Sequence, residues 1–203
     1  VDFTALLADA AWTPLTTTRR TETGDVVVAL KTIEGAPCLR GTMTVTGTSP
    51  NTLYDVVTDV PAAARFSSET LRVSRVLGRV DGKVHYYQHL DVPDWTLVAD
   101  RFWVLEGWDA SSGARRAFRW QTFAWRSVYP QVAAEVAASG AVEPTPNWGS
   151  WVFEGSDSGT RAVYFLCTNP AGSLPQWLAE AAATKTLPNT MADVAREAQR
   201  RGP

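Results

Sequence analysis

The chain has only two histidines, His85 and His89, and they lie in one short run, KVHYYQHL, with Tyr87 between them. At i, i+2 and i+4 these three side chains share one face of a β-strand. The two imidazoles would then stand about 13 Å apart at roughly 3.3 Å per residue, too far to hold one ion between them. Two chemistries remain: polar anchors for a ligand head group, or an acid/base set with Tyr87. The plain alternative is a solvated outer face; the inward orientation is the expectation. The next run alternates as well, with Asp100, Phe102, Val104 and Glu106 on one face and Arg101, Trp103 and Leu105 on the other. Phe102 and Glu106 are expected inward. A charge inside an apolar space must be paired or solvated, which is how it can recognise a polar group. Trp151 and Phe153 alternate with polar neighbours and are expected inward too, with Trp120 as core or ligand contact. There is no nucleophile motif, no glycine-rich phosphate loop and no diagnostic carboxylate pair, so no catalytic residue is assigned. Cys38 and Cys167 have no CxxC spacing, and neither a metal nor a cofactor is expected.

These residues need elements to carry them. Val1 to Trp12 reads as an amphipathic helix, and Leu39 to Thr46 as a threonine-rich strand. Ser49-Pro50 opens a helix with Ser49 as N-cap, and a second short helix covers Pro61 to Phe66. Six strands follow. Leu71–Val80 and Lys83–Val92 form a hairpin over Asp81-Gly82. Ala99–Trp108 and Arg115–Ser127 are joined by a turn, and Trp148–Glu154 pairs with Thr160–Thr168. In Arg115–Ser127 the aromatics change parity, Phe118 and Trp120 against Phe123 and Trp125, which suggests a bulge or a strand covered on both faces. Tyr129 to Pro146 interrupts the strands with an alanine-rich helix ended by Gly140. Leu174 to Arg200 reads as one long helix with Trp177, Leu178 and Met191 on its apolar stripe and a kink at Pro188.

Over 203 residues, 45% are hydrophobic and 20% charged, the profile of a globular chain rather than a disordered one. No linker or repeat divides it, so residues 1–203 are expected to form a single domain of α+β class. The net charge of −2 lacks the basic excess of a nucleic-acid binder. Nine tryptophans call for a very large core or an aromatic-lined cavity. The chain begins at Val1, consistent with a removed leader or a trimmed N-terminus, and the compartment stays open between cytoplasmic and periplasmic or secreted.

Residues 167–188, CTNPAGSLPQWLAEAAATKTLP, resemble the strand-to-helix junction of the START (steroidogenic-acute-regulatory-related lipid transfer) family, with Asn169, Pro170, Gly172, Leu174, Pro175 and Trp177 at the motif positions. Pro93-Asp94-Trp95 through Asp100-Arg101-Phe102-Trp103-Val104-Leu105 resembles the family's proline/tryptophan loop and the strand after it, although the charged pair here reads Asp-Arg. The resemblance implies a helix-grip fold, a curved antiparallel β-sheet wrapped around a long C-terminal α-helix.

It also implies an internal cavity that binds one lipid, sterol or similar hydrophobic molecule, with a transient membrane surface as a further partner and a monomeric state. His85, Tyr87, His89, Phe102, Glu106, Trp120, Trp151, Phe153, Trp177, Leu178 and Met191 are the expected ligand-binding residues. The condition for this reading is a void of at least about 300 Å³, the lower end for ligand pockets. The alternative is a cyclase- or hydratase-like enzyme acting on a polyketide-type substrate, with His85 or His89 as acid/base. The family topology would also set Cys38 beside Cys167, with the bond between them left open. The segment 129–146 is expected to act as a lid over the cavity mouth.

Overall fold

The computed structural model describes residues 1–15, 18–68, 71–92, 99–169 and 182–202. In chain order the elements are α1 (Phe3–Leu7), β1 (Thr13–Pro14), β2 (Arg19–Thr21), β3 (Gly24–Ile33), β4 (Ala36–Val45), α2 (Pro50–Thr58), α3 (Ala63–Phe66), β5 (Leu71–Val80), β6 (Lys83–Leu90), β7 (Arg101–Asp109), β8 (Arg116–Thr122), α4 (Pro130–Ser139), β9 (Asn147–Ser156), β10 (Gly159–Thr168) and α5 (Leu187–Arg201). The expected hairpins are present. Asp81 and Gly82 both take positive φ, 49° and 76°, the geometry that lets a two-residue turn follow the right-handed twist of its strands.

The strands form one open antiparallel sheet in the order β1-β3-β4-β10-β9-β8-β7-β6-β5, with β2 paired to β3. Its long-range seam is β4 against β10, where Cys38 lies directly opposite Cys167. The two sulfurs are bonded. Directly opposed positions on neighbouring strands bring Cα atoms within disulfide reach, and here they are 4.1 Å apart.

Both faces of the sheet are covered. The concave face holds α5 and α2 against a core that includes Val26, Val45, Leu53, Phe153, Leu187 and Met191. Close approach of helix to sheet depends on Gly41, where an added Cβ would stand 2.3 Å from Met191 Sδ and 2.5 Å from Leu187 Cδ2. On the outer face, Leu6 of α1 and Trp12 pack over Cys38, Cys167, Trp148 and Phe165. Further along, α4 lays Val132 and Val136 on Tyr87, Phe102 and Val104.

Two elements depart from the sequence reading. The first helix is only five residues long. Asp2 caps it by accepting from the Ala5 amide at 2.9 Å, and the backbone is already extended at Ala8. β8 stops at Thr122, and Phe123 and Trp125 leave the ladder, with a 3₁₀ turn over Trp125–Ser127. That exit explains the change of aromatic parity better than a bulge does. Pro188 sits in the first α-helical turn of α5, which continues directly from a π-helical turn over Ala182–Thr186.

Candidate functional site

A cavity of about 250 Å³ lies between the concave face and the helices. The sheet supplies Tyr86, Gln88 and Leu90 from β6, Trp103 and Leu105 from β7, Phe118 and Trp120 from β8, Asn147 and Trp151 from β9, and Tyr164 and Leu166 from β10. The helical side supplies Val56 and Val57 of α2, Phe66 of α3, and Thr190, Asp193 and Val194 of α5. The period-2 alternation of each strand selects these positions, and the register aligns them: Tyr86 faces Leu105, Gln88 faces Trp103, and Phe118 faces Trp151.

The aromatic part of the lining is tightly fitted. Trp151 stacks on Tyr164 with ring centroids 4.1 Å apart, and Trp120 tilts against the same tyrosine at 5.8 Å. Trp120 donates its Nε1–H to Asn147 Oδ1 at 3.0 Å, which orients the indole along the wall. A Cβ on Gly149 would meet Phe165 O at 2.2 Å and Trp120 Cζ2 at 2.4 Å, so only glycine lets that ring lie flat there. Burial holds the phenol groups of Tyr86 and Tyr164 far above their ordinary pKa, so both stay neutral. Asp193 is already satisfied, accepting from the Ser68 amide at 2.6 Å and from Arg196 at 2.8 Å.

Of the residues expected from the sequence, Trp120 and Trp151 line this cavity. Phe153 and Met191 belong to the same concave core but pack beside the void rather than on it. Trp177 and Leu178 lie outside the described residues. The other five expectations are corrected: His85, Tyr87, His89, Phe102 and Glu106 all point to the outer face. The register leaves no freedom, since Tyr86 and Leu105 point inward, and therefore their neighbours and partners His85 and Glu106 point outward. The same parity turns Tyr87, His89 and Phe102 out against α4 and its surroundings.

There they make two polar clusters. His85 Nδ1 is 2.9 Å from the Tyr129 hydroxyl, and its Nε2 is 3.8 Å from Glu106 Oε2. Desolvation lowers the His85 pKa, with Glu106 pulling the other way. Burial would raise Glu106, but hydrogen bonds from Lys83 Nζ and Gln121 Nε2, both at 2.7 Å, outweigh it and hold the carboxyl below its usual value. His89 is wholly buried, with Nδ1 2.9 Å from the Tyr87 hydroxyl and Nε2 3.0 Å from Asp100 Oδ2. The second Asp100 oxygen accepts from the Val92 amide. Ligating atoms of His89, Asp91 and Asp100 come within 4.8 Å of one another, close enough for a metal ion. The Arg72 guanidinium already stands at 3.2 Å from His89 Nε2 and 3.3 Å from Asp91, so the cluster carries its own cation. Neither histidine is on the cavity wall, so the acid/base pair imagined for a cyclase-like enzyme is not beside the void.

The expected lid is corrected too. α4 contributes no residue to the cavity lining; its apolar side covers the outer face over β6 and β7. Arg75 and Glu135 tie it to β5. Trp125 donates to Glu143 at 2.7 Å, and Val142 exchanges backbone hydrogen bonds with the start of β7.

The arrangement of the sheet and the helix across it recurs in solved structures. Human StAR-related lipid transfer protein 5 superposes with a TM-score of 0.77 over 98% of this chain and 91% of its own, at 14% identity. A fragment of the STAR-related lipid transfer protein from Xanthomonas axonopodis gives 0.72 over 93% and 99%, at 19% identity. The chain has the helix-grip fold of START domains. The Zhui aromatase/cyclase from a Streptomyces species is also similar, with a TM-score of 0.54 over 81% of this chain and 94% of its own, at 18% identity. No protein-family model matches the sequence, and no curated protein does. The helix-grip fold therefore rests on shape, and the expectation drawn from the junction motif and element order agrees with it.

Several cavity residues escaped the sequence reading: Tyr86, Gln88, Trp103, Leu105 and Tyr164. The signal that could have found them was present. Tyr86 and Gln88 alternate with the two histidines, and Trp103 and Leu105 with Phe102 and Glu106; only the phase was assigned the wrong way round.

Proposed function

We propose that this chain binds a small hydrophobic molecule in the cavity between α5 and the concave face of the sheet. The observation that carries this reading is the void itself, walled by aromatic and aliphatic side chains with only a few polar groups, the general composition of ligand pockets. Its volume of about 250 Å³ does not meet the roughly 300 Å³ condition, so the expectation of a lipid carrier fails as stated, and what the lining supports is binding of a smaller hydrophobic molecule. A void of this size suits a single chain or a compact ring system better than a two-chain lipid. Binding would be driven by apolar burial, about 25 cal/mol per Å² before ordering costs.

The test is binding of the fluorescent probe 1-N-phenylnaphthylamine, followed by its own emission and by quenching of tryptophan. Wild-type protein should bind it. Filling the void with Val57→Trp or Val194→Trp should weaken binding at least tenfold while circular dichroism shows an intact fold. Binding that is indifferent to both fillers would place the probe elsewhere and end this reading.

A further inference from the structure

The chain has five tyrosines, and three of them hold polar partners: Tyr54 with Asp109, Tyr87 with His89 and Tyr129 with His85. The other two, Tyr86 of β6 and Tyr164 of β10, line the cavity, and among the described residues neither hydroxyl has a hydrogen-bond partner. Tyr86 is 5% exposed, and the Tyr164 ring is stacked on Trp151. The hydroxyls themselves lie in the interior, since burial drives both phenol pKa values up and no hydrogen bond opposes it. β6 and β10 are well apart in the strand order, and the curvature of the sheet turns both side chains into one void.

A buried phenol ordinarily finds a partner, and an unpaired hydroxyl in an apolar space is costly. The outer-face tyrosines obey that rule and the two cavity tyrosines do not, so the missing partner is one that enters the cavity. Its charge follows from the lining. Among the described residues that line the void only Asp193 is charged, and the Ser68 amide and Arg196 already hold it. With no cation on the wall, an anionic head would lose its water and gain no counter-charge. Whatever water the two hydroxyls hold before a ligand enters is displaced on binding, and only a ligand group that accepts a hydrogen bond makes good the loss. The flat faces of Trp151 and Trp120 on either side of Tyr164 favour a planar body.

From these observations we infer that the ligand is a neutral, compact ring compound carrying a carbonyl or hydroxyl oxygen, which accepts hydrogen bonds from the phenol hydroxyls of Tyr86 and Tyr164. This rests on the cavity-binding reading above and names the class of molecule it takes.

The experiment compares four probes with the same naphthalene body, each displacing 1-N-phenylnaphthylamine at pH 7.5: naphthalene, 2-naphthol, 2-acetylnaphthalene and the anion 2-naphthoate. Wild-type protein should bind 2-acetylnaphthalene or 2-naphthol about threefold to tenfold more tightly than naphthalene, the net gain of a hydrogen bond between neutral groups. It should bind 2-naphthoate more weakly than either. In Tyr86→Phe/Tyr164→Phe, which removes the hydroxyls and keeps the rings, the affinity ratio of the oxygenated probe to naphthalene should fall to about one. Each single variant should lose part of that ratio and serves if the double variant does not fold. Because neither hydroxyl has an internal partner to lose, the single variants should also keep the wild-type denaturation midpoint; a clear drop in both would show that the hydroxyls are satisfied within the protein and overturn the inference. It is equally overturned by a wild type that does not prefer the oxygenated probes, by a preference that survives the double variant, or by 2-naphthoate binding as tightly as 2-acetylnaphthalene. Each of these outcomes leaves the cavity reading intact. If neither 1-N-phenylnaphthylamine nor any naphthalene probe binds, both fall.

Discussion

His85 shows how one strand position decides a residue's chemistry. Facing outward under Phe123 and against the Tyr129 hydroxyl, it is a buried imidazole whose burial favours the neutral form. Its folded pKa is below the unfolded value of about 6.5. As pH falls through about 6.5 the unfolded chain takes up the proton first, so stability is lost from there down to the folded pKa. Thermal melts between pH 7.5 and 5 should show a declining midpoint in the wild type and a flatter one in His85→Gln; equal slopes would mean that other groups carry the effect. Gly149 makes a second residue-scale point. Its missing side chain is the room that Trp120 occupies, with a carbonyl behind it. Gly149→Ala should destabilise by about 1–3 kcal/mol, the usual cost of overpacking. It should also disturb probe binding, because the displaced ring is a cavity wall. Denaturant midpoints and probe titration test the two consequences separately.

α4 reads differently in place than in sequence. Its alanine-rich pattern and Gly140 stop were legible, and the helix forms over Pro130–Ser139 with Gly140 at positive φ. Its partner was not legible. Val132 and Val136 are 1% and 5% exposed, and what they cover is the outer side of the sheet. The reason is the same one that misassigned the histidines. A sheet solvated on one face gives strands whose polar side marks the outside. Here α1 and α4 cover the outer face while α2 and α5 cover the inner one, so β6 and β7 carry large apolar groups on both sides. Alternation then shows which residues share a face but not which face is inside. Glu106 and the histidines looked like inward exceptions; they are polar groups buried under an outer layer. Val136→Ala should therefore cost about 2 kcal/mol, the scale for removing buried methyl groups. It should leave the dissociation rate of 1-N-phenylnaphthylamine unchanged in stopped flow. Faster release in a stably folded variant would restore a gating role for this helix.

Across the whole molecule the decisive contact is the seam between β4 and β10, which joins the first strands to the last ones and lets the sheet curve around α5. Forming it requires closing a long stretch of chain, and such non-local pairing is entropically costly and slow. The Cys38–Cys167 bond spans a sequence separation of 129 residues at that seam. In the chain-entropy picture a loop of this length stabilises the fold by up to about 5 kcal/mol, because the unfolded chain can no longer spread. The bond lies on the outer face beneath Trp12 and Phe165, with the sheet between it and the cavity. Stability and ligand binding should therefore separate. Cys38→Ala/Cys167→Ala, chosen because both positions are buried and apolar, should lower the denaturation midpoint strongly and leave probe affinity unchanged at temperatures where the variant is folded. Reduction of the wild type should lower the midpoint in the same direction. A double variant as stable as the oxidised wild type would show that strand pairing alone holds the seam. One that stays folded but loses the probe would show that the curvature set by the seam also shapes the cavity.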